Sequence, residues 1–205
     1  DRPRNKRSRG RGSSGKIPPM SALKITDRWL AEALSEALGG PPTIDALATI
    51  THLDWAEYRA EAELPWGSIR SIEPLRHCAA LQVLSFDGNA LSDLGPLASC
   101  AALREIWLVD NAVTDLTPLR GLLHLETLVL DCNRRLGSIA PLAGHPALRD
   151  LNIAHTAVTD LTPLAELPAL TKVNVFGLKL DRAPDSPSME TLAALRARGV
   201  EVLGP

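Results

Sequence analysis

A segment of about 22 residues recurs four times in succession in the middle of the chain and restricts the folds open to it. The units are 81–102, 103–124, 125–147 and 148–169; three have 22 residues and 125–147 has 23. A fixed period in this range is the signature of a solenoid, in which each repeat buries its apolar side against its neighbours. We therefore expect an α/β repeat solenoid.

Two alternating apolar positions in each unit predict a short strand facing the core. Counted from the first Leu of a unit, they are positions 4 and 6: Leu84/Phe86, Ile106/Leu108, Leu128/Leu130, Leu151/Ile153 and, in a further unit, Val173/Val175. Because side chains alternate along a strand, positions 3, 5 and 7 are expected on the opposite face. A parallel sheet of such strands is predicted, with each unit supplying its own crossover.

Position 9 predicts an asparagine ladder. It is Asn89, Asn111 and Asn133 in three successive units. A buried amide can satisfy backbone groups of the turn that leaves the strand. Thr156 and Leu178 take this position in later units, and we expect looser turns there.

The return segment of three units reads Ser/Thr-Asp-Leu-x-Pro-Leu, which favours a compact crossover. Asp93, Asp115 and Asp160 are expected to cap it. The proline sets φ early in the turn. The segment is too short for a long helix, so a 3-10 helix or a single helical turn is predicted.

The pattern LxxLxLxxNxLxDLxPLxxL resembles the leucine-rich repeat family, in the 22-residue class shared by bacterial internalins and a eukaryotic phosphatase-regulatory subunit. The resemblance covers about 43–180, and the helix with TIDALATITHLD before the repeats is similar to the N-terminal cap of many bacterial members. It implies a right-handed arc or horseshoe, a concave parallel sheet that commonly binds protein, and a bacterial source.

Cap structures are expected at both ends of one repeat domain, 20–205, with the repeats at 50–180. In the N-terminal cap, 20–49, Thr26 or Asp27 is predicted to begin a helix to about residue 38, and Thr43 a second one over about 43–49. In the C-terminal cap, 181–205, Ser188 is expected to begin a helix through Arg198. A strand at 200–202 would then pair with the last open strand edge.

The first 16 residues carry seven basic residues and one acid, a net charge of +6 in a chain of −2. They include no apolar residue, so 1–19 is predicted to be a disordered basic tail. Such a tail can bind nucleic acid through its phosphates, and nucleic-acid binding is expected only through 1–16. The alternatives are a linker, processed upstream sequence, or a mis-assigned start, since Met20 could open the chain.

The unit at 50–80 is longer than the others, with its excess near 56–68. This insertion is either a binding loop or a tolerated surface loop. The residues that would bind a partner are Tyr58, Glu61, Glu63 and Trp66.

Outward strand positions are where a partner is expected, because the core does not dictate their residues. Trp107 is flanked by Val109 and Val129 on neighbouring strand positions. Polar and acidic residues surround them: Glu105, Asp87, Asp110, Asp131, Asp150 and Asn152. An aromatic anchor with a charged rim is typical of a binding hot spot, and the acids favour a basic partner. The alternative is that Trp107 packs over its own sheet and the acids only solubilise it.

A chemical alternative rests on position 8, where Asp110, Cys132 and His155 succeed one another. A Cys beside a His could be an activated nucleophile, or a metal site with Asp. No pocket or oxyanion donor is evident, so neither catalytic residues, cofactor nor metal are expected. Three cysteines favour a reducing, cytoplasmic location. The sequence shows neither a signal peptide nor a long apolar span, so no membrane association is expected.

These features together predict a monomeric, non-enzymatic module whose acidic concave face binds a basic protein, in the manner of an inhibitor or immunity protein. The contrasting hypothesis is an adaptor associated with nucleic acid through its basic tail.

Overall fold

The computed structural model describes residues 23–55, 67–183 and 185–205. The helices found there are α1 (Arg28–Leu38), α2 (Ile44–Leu47) and α3 (Pro187–Ala197). The strands are β1 (His52–Asp54), β2 (Val83–Ser85), β3 (Glu105–Trp107), β4 (Thr127–Val129), β5 (Asp150–Asn152), β6 (Lys172–Asn174) and β7 (Glu201–Leu203). The 3-10 helices of the crossovers are Glu73–His77, Gly95–Ser99, Thr117–Leu119, Ala140–Leu142 and Thr162–Glu166.

The strands form one open, parallel sheet in chain order from β1 to β7. Neighbouring strands are in register, so equivalent repeat positions pair: Leu84 with Ile106, and Ile106 with Leu128. A parallel pair needs a crossover connection, and the 3-10 segments supply it. The predicted repeat solenoid is confirmed.

The core is a continuous stack of aliphatic side chains. Every residue predicted at positions 4 and 6 is buried, from Leu84 and Phe86 to Val173 and Val175. At the N-terminal end the rings of Trp55 and Phe86 pack edge to face, with centroids 6.4 Å apart. Each such large side chain stabilises by about 1.5–3 kcal/mol when fully buried. The stack therefore holds the sheet in one fixed register.

Aspartate caps form in the crossovers as predicted. The Gly95 N–H donates to Asp93 Oδ1 at 2.7 Å, and the Thr117 N–H donates to Asp115 Oδ1 at 2.8 Å. Thr162 bonds Asp160 in the same way at 2.9 Å. In each case the carboxylate satisfies an N–H that the short helix leaves without a partner.

The asparagine ladder is present and links successive repeats. Asn133 Oδ1 accepts the Val113 N–H at 2.9 Å, and its Nδ2 donates to Leu108 O and Leu130 O at 2.8 and 2.9 Å. Asn111 bonds the preceding repeat in the same way. Two of the three hydrogen bonds of Asn133 therefore join it to the preceding repeat. The sequence had predicted only that the amide would bond backbone groups of its own turn.

Thr156 makes a shorter-range contact where the ladder ends. Its hydroxyl donates to Ile153 O at 2.7 Å within its own repeat. The Leu136 N–H, which would face an asparagine here, donates instead to Asn133 O at 3.0 Å. The looser turn expected at this point stays a prediction.

The N-terminal cap is joined to the first repeat by one carboxylate. Asp27 is the N-cap of α1, and its Oδ1 accepts the N–H groups of Trp29 and Leu30. Its Oδ2 accepts the N–H groups of Arg70 and Ser71 at 2.8 and 3.2 Å. Since one side chain serves both roles, it fixes the helix against the repeats.

The C-terminal helix begins two residues earlier than predicted. Its N-cap is Ser186, whose hydroxyl accepts the Met189 N–H, and Pro187 takes the first helical position. Ser188 lies inside the helix, where its hydroxyl donates to Thr159 O at 3.0 Å. The expectation that Ser188 caps the helix is wrong because proline is favoured at that first position. The strand after the helix pairs with β6 as expected.

Two predictions concern residues that lie outside the described part of the chain. They are the disordered basic tail at 1–19 and the binding loop with Tyr58, Glu61, Glu63 and Trp66.

Candidate protein-binding surface

The strand residues that point away from the core form a surface that we call the open sheet face. It comprises positions 3, 5 and 7 of the repeats together with position 8 in the following turn. Position 3 contributes His52, Val83, Glu105, Thr127, Asp150, Lys172 and Glu201. Position 5 contributes Asp54, Ser85, Trp107, Val129, Asn152, Asn174 and Leu203. Position 7 contributes Asp87, Val109, Asp131, Ala154 and Phe176.

The open sheet face carries charge of one sign. With Asp110 at position 8 it holds seven carboxylates and one cation, Lys172. Its net charge is therefore −6 when histidine is counted as neutral. Arg104 and Arg149 lie beside the strands and are paired with Glu126 at 2.7 and 3.9 Å. A concentration of like charge steers oppositely charged molecules toward the surface.

Trp107 lies in β3 with its side chain 37% exposed. Its indole N–H donates to Glu105 Oε2 at 3.4 Å. In register it has Ser85 on one side and Val129 on the other. Trp107 is thus partly exposed to solvent, and the strand register defines the residues on either side of it.

Val129 differs from the prediction, because it is only 6% exposed. It was expected to offer apolar area to a partner. Directly opposite side chains on neighbouring strands are close enough to interact, and Trp107 is the register partner of Val129. Val129 therefore contributes little exposed area of its own to the face.

The other predicted residues lie around Trp107 on β3, β5 and the turns. Val109 is half-buried, and its N–H donates to Asp87 Oδ1 at 2.7 Å. Asn152 Oδ1 accepts the Ala154 N–H at 3.0 Å. Asp150 is half-buried in β5, opposite Lys172. These contacts fix the side chains before any partner binds.

Asp131 is half-buried, like Asp87, Glu105 and Asp150. Its Oδ1 atom is buried and makes no hydrogen bond in the structure. The same carboxylate interacts with the Cys132 thiol. An unsatisfied buried acceptor costs free energy, so Asp131 is a less favourable residue for stability than the exposed acids of the face.

Position 8 has a backbone conformation that sequence reasoning missed. The five residues of this column that the structure describes all have a positive φ: Gly88 (67°), Asp110 (51°), Cys132 (63°), His155 (52°) and Gly177 (74°). The two glycines and the aspartate in one column were a signal of it, because these residue types tolerate the left-handed region. Cys132 adopts it against its preference, at a cost of about 1–3 kcal/mol, whereas histidine, like aspartate, is enriched in this region.

The chemical alternative at position 8 finds little support. Burial, a hydrogen bond to Asp131 and the Asp131 charge raise the pKa of Cys132, so its thiolate is disfavoured. The His155 ring packs edge to face on Phe176, with centroids 5.4 Å apart. Among the residues that the structure describes, no group of three or more His, Cys, Asp or Glu could hold a metal ion.

The predicted binding residues did not include two exposed apolar residues at the C-terminal end of the face. Phe176 is 60% exposed and Leu203 is 39% exposed. Phe176 occupies position 7 of the further unit that follows the four regular ones, and Leu203 belongs to the strand added by the C-terminal cap. Their places in the outward alternation were the signal that could have identified them.

Two cysteines and one histidine lie in the buried interior, not on the open sheet face. Cys78 and Cys100 are buried and free. Burial raises the pKa of Cys78 to about 12 and that of Cys100 to about 11. His145 takes the equivalent position two repeats later and is buried as well, and burial lowers its pKa.

Comparison with known proteins agrees with this architecture. A family model described as leucine-rich repeats in two copies matches residues 79–121. Internalin InlF of Listeria monocytogenes has a similar structure, with a TM-score of 0.63 at 22% identity over 86% of this chain. Internalin C2 of the same species gives a TM-score of 0.52 at 28% identity over 80% of each chain. A leucine-rich repeat protein of Leptospira interrogans gives 0.62 at 17% identity over 78% of this chain.

Some of these relatives are considerably longer. The chain spans 55% of the InlF structure and 39% of the Leptospira structure. No curated protein sequence matches the chain. None of the helices in the described residues is long and apolar enough to cross a membrane.

Proteins of this architecture generally mediate protein–protein interaction and are typically not enzymes. The period, the asparagine ladder, the parallel sheet and the structural relatives agree with one another. Residues 79–121 match leucine-rich repeats, and the chain has the leucine-rich repeat fold of its internalin structural relatives.

Proposed function

We propose that the chain binds a basic protein through the open sheet face, with Trp107 as the central anchor. The observation that carries the proposal is a tryptophan 37% exposed to solvent within a face of net charge −6. Aromatic anchors surrounded by polar residues dominate the binding energy of protein interfaces. Trp107 is held by Glu105 and by the strand register, so it loses little freedom on binding.

The charge of the face defines what such a partner carries. Glu105 and Asp150 on the strands, with Asp87, Asp110 and Asp131 after them, favour lysine and arginine on the opposing surface. The same carboxylates repel nucleic-acid phosphates, so nucleic acid has no route to this face. A partner with a basic rim around an apolar centre fits, and sequestering a basic enzyme or toxin in the cytoplasm is the role we propose.

Capture of partners from the source cell tests the proposal. Wild-type protein and Trp107→Ala are used as baits, and the captured proteins are compared by quantitative mass spectrometry. Leu123→Ala is the matched control, because Leu123 is 57% exposed and follows the 3-10 helix Thr117–Leu119, away from the strands. We expect a basic protein to be captured by wild type and by the control, and lost with Trp107→Ala.

Affinity for the captured protein is then measured by calorimetry. Loss of a central tryptophan costs about 2 kcal/mol or more, which corresponds to about 30-fold in Kd. The affinity is also expected to fall with salt, since the rim is charged. Equal affinity of wild type and Trp107→Ala would refute the site.

A further inference from the structure

We propose that the basic N-terminal segment, residues 1–16, binds the open sheet face of its own chain and competes there with the protein partner. The proposal rests on the proposed function, because it assigns a regulator to the same face. Three features support this contact: the opposite charges of the segment and the face, the length of the segment, and the acceptor groups on the face.

The charges of the two surfaces are opposite and similar in size. Residues 1–16 carry a net charge of +6, and the open sheet face carries −6. The carboxylates are spread from Asp54 in β1 to Glu201 in β7, so the complementary surface extends along the whole sheet. A short basic segment can therefore pair with several acids at once.

The segment can reach the face from its point of attachment. The Leu23 N–H donates to Pro42 O, and Asp27 fixes the start of α1 to the first repeat. The 22 residues before Leu23 span at most roughly 75 Å when extended. Seven strands at a spacing of about 4.8 Å cover only about 29 Å. Reach therefore does not limit contact with any strand.

The acceptors on the face suit the side chains of the segment. Five of its seven cations are arginines, whose guanidinium groups bond carboxylates in pairs and stack on aromatic rings. The face offers the exposed carboxylate of Asp110 and the exposed ring of Trp107. Arginine can pair with the first and stack on the second.

Tethering makes such a segment an effective competitor. A tethered ligand acts at an effective concentration in the millimolar range, so weak contacts suffice. If the segment occupies the face nine-tenths of the time, apparent affinity for any other ligand falls about tenfold. The partner would have to displace the segment, so only a partner with sufficient affinity or concentration would bind.

Zero-length cross-linking of the full-length chain tests the contact directly. A carbodiimide joins lysine amines to carboxylates, and the segment contains Lys6 and Lys16. The reaction is run on an equal mixture of unlabelled and nitrogen-15-labelled protein, so that mass spectrometry separates links within a chain from links between chains. We expect links within one chain from Lys6 or Lys16 to Glu105, Asp110 or Asp150, lost at about 0.5 M salt.

Two full-length variants of matched charge supply the control. One converts Glu105, Asp110 and Asp150 to their amides, and asparagine tolerates the positive φ at position 110. The other converts three acids away from the face to amides: Glu73, Glu166 and Glu190. The first variant should lose the links from the segment, and the second should keep them.

Affinity measurements show whether the segment, when bound to the open sheet face, weakens the binding of another ligand there. The probe is a labelled synthetic peptide of residues 1–16, followed by fluorescence anisotropy. A full-length variant with the seven cations of the segment replaced by glutamine should bind it about tenfold more tightly than the native chain. Equal affinities would overturn the competition.

Other results overturn the proposal in identifiable ways. Links spread over acids in proportion to their exposure, or no links, mean that the segment does not select the face. Links only between chains assign the face to a second copy. A low-salt gel shift with nucleic acid that requires residues 1–16, without links to the face, assigns the segment to nucleic acid. In each case Trp107-dependent partner capture can still succeed, so the two proposals fail separately.

Discussion

Replacing Asn133 by alanine tests how far the repeats depend on the ladder. The Asn133 side chain is fully buried and makes three hydrogen bonds, two of them to the preceding repeat. Each bond contributes about 1 kcal/mol net, and the buried Val113 N–H left without an acceptor costs about 1–3 kcal/mol. We expect the free energy of unfolding to fall by about 3–5 kcal/mol, a large share of the stability of an ordinary domain.

Two further substitutions calibrate this value. The Asn111 amide makes three equivalent bonds, but the residue is only half-buried, so water can replace them in part. Asn111→Ala should cost about 1–2 kcal/mol. Asn152→Ala removes one local bond to the Ala154 N–H and should cost less than about 1 kcal/mol. Burial separates Asn133 from Asn111, and the number of hydrogen bonds separates Asn111 from Asn152.

Urea unfolding followed by tryptophan fluorescence gives the three free energies, and hydrogen exchange locates the effect. The Val113 N–H should exchange faster in Asn133→Ala, because its acceptor is gone. The Leu91 N–H is bonded to Asn111, and the Ile69 N–H to Asn89, so both should keep their rates. If Asn133→Ala costs no more than Asn152→Ala, the ladder does not join the repeats energetically.

Two titratable groups give further tests. Burial lowers the pKa of His145, so the unfolded state binds the proton more readily and stability is lost as pH falls through about 6.5. His145→Leu should flatten the fall in unfolding free energy between pH 7.5 and 5.5, by up to about 1.4 kcal/mol per pH unit; an unchanged slope, or the same change in exposed His124→Leu, contradicts this. The raised pKa of Cys132 predicts slower alkylation by iodoacetamide at pH 7.4 than for a free thiol. Asp131→Asn should speed it up, and a Cys132 that titrates below pH 7 would contradict the argument.

The repeat positions were predictable because they are set locally and then repeated. Leu84 and Ile106 lie at equivalent positions, so a single alternation predicts both their burial and their register. The aspartate caps were predictable for the same reason, since Asp93 bonds a residue only two positions away.

Features that depend on contacts between repeats were harder to predict. The burial of Val129 depends on its neighbours on adjacent strands, including its register partner Trp107, and the residue types alone do not define how those side chains pack. Asp27 serves the first repeat through residues more than 40 positions away. The helix start at Pro187 was within reach, because proline at the first helical position is a local signal.

The positive φ of position 8 limits how the surface can diversify. In that column a new side chain must accept the left-handed conformation, so glycine, asparagine, aspartate and histidine are the inexpensive choices. Positions 3, 5 and 7 have no such backbone restriction, and only their buried members, such as Val129 and Ala154, are limited by packing. The surface can therefore vary widely at the exposed positions of three columns, while the fourth is restricted to a few residue types.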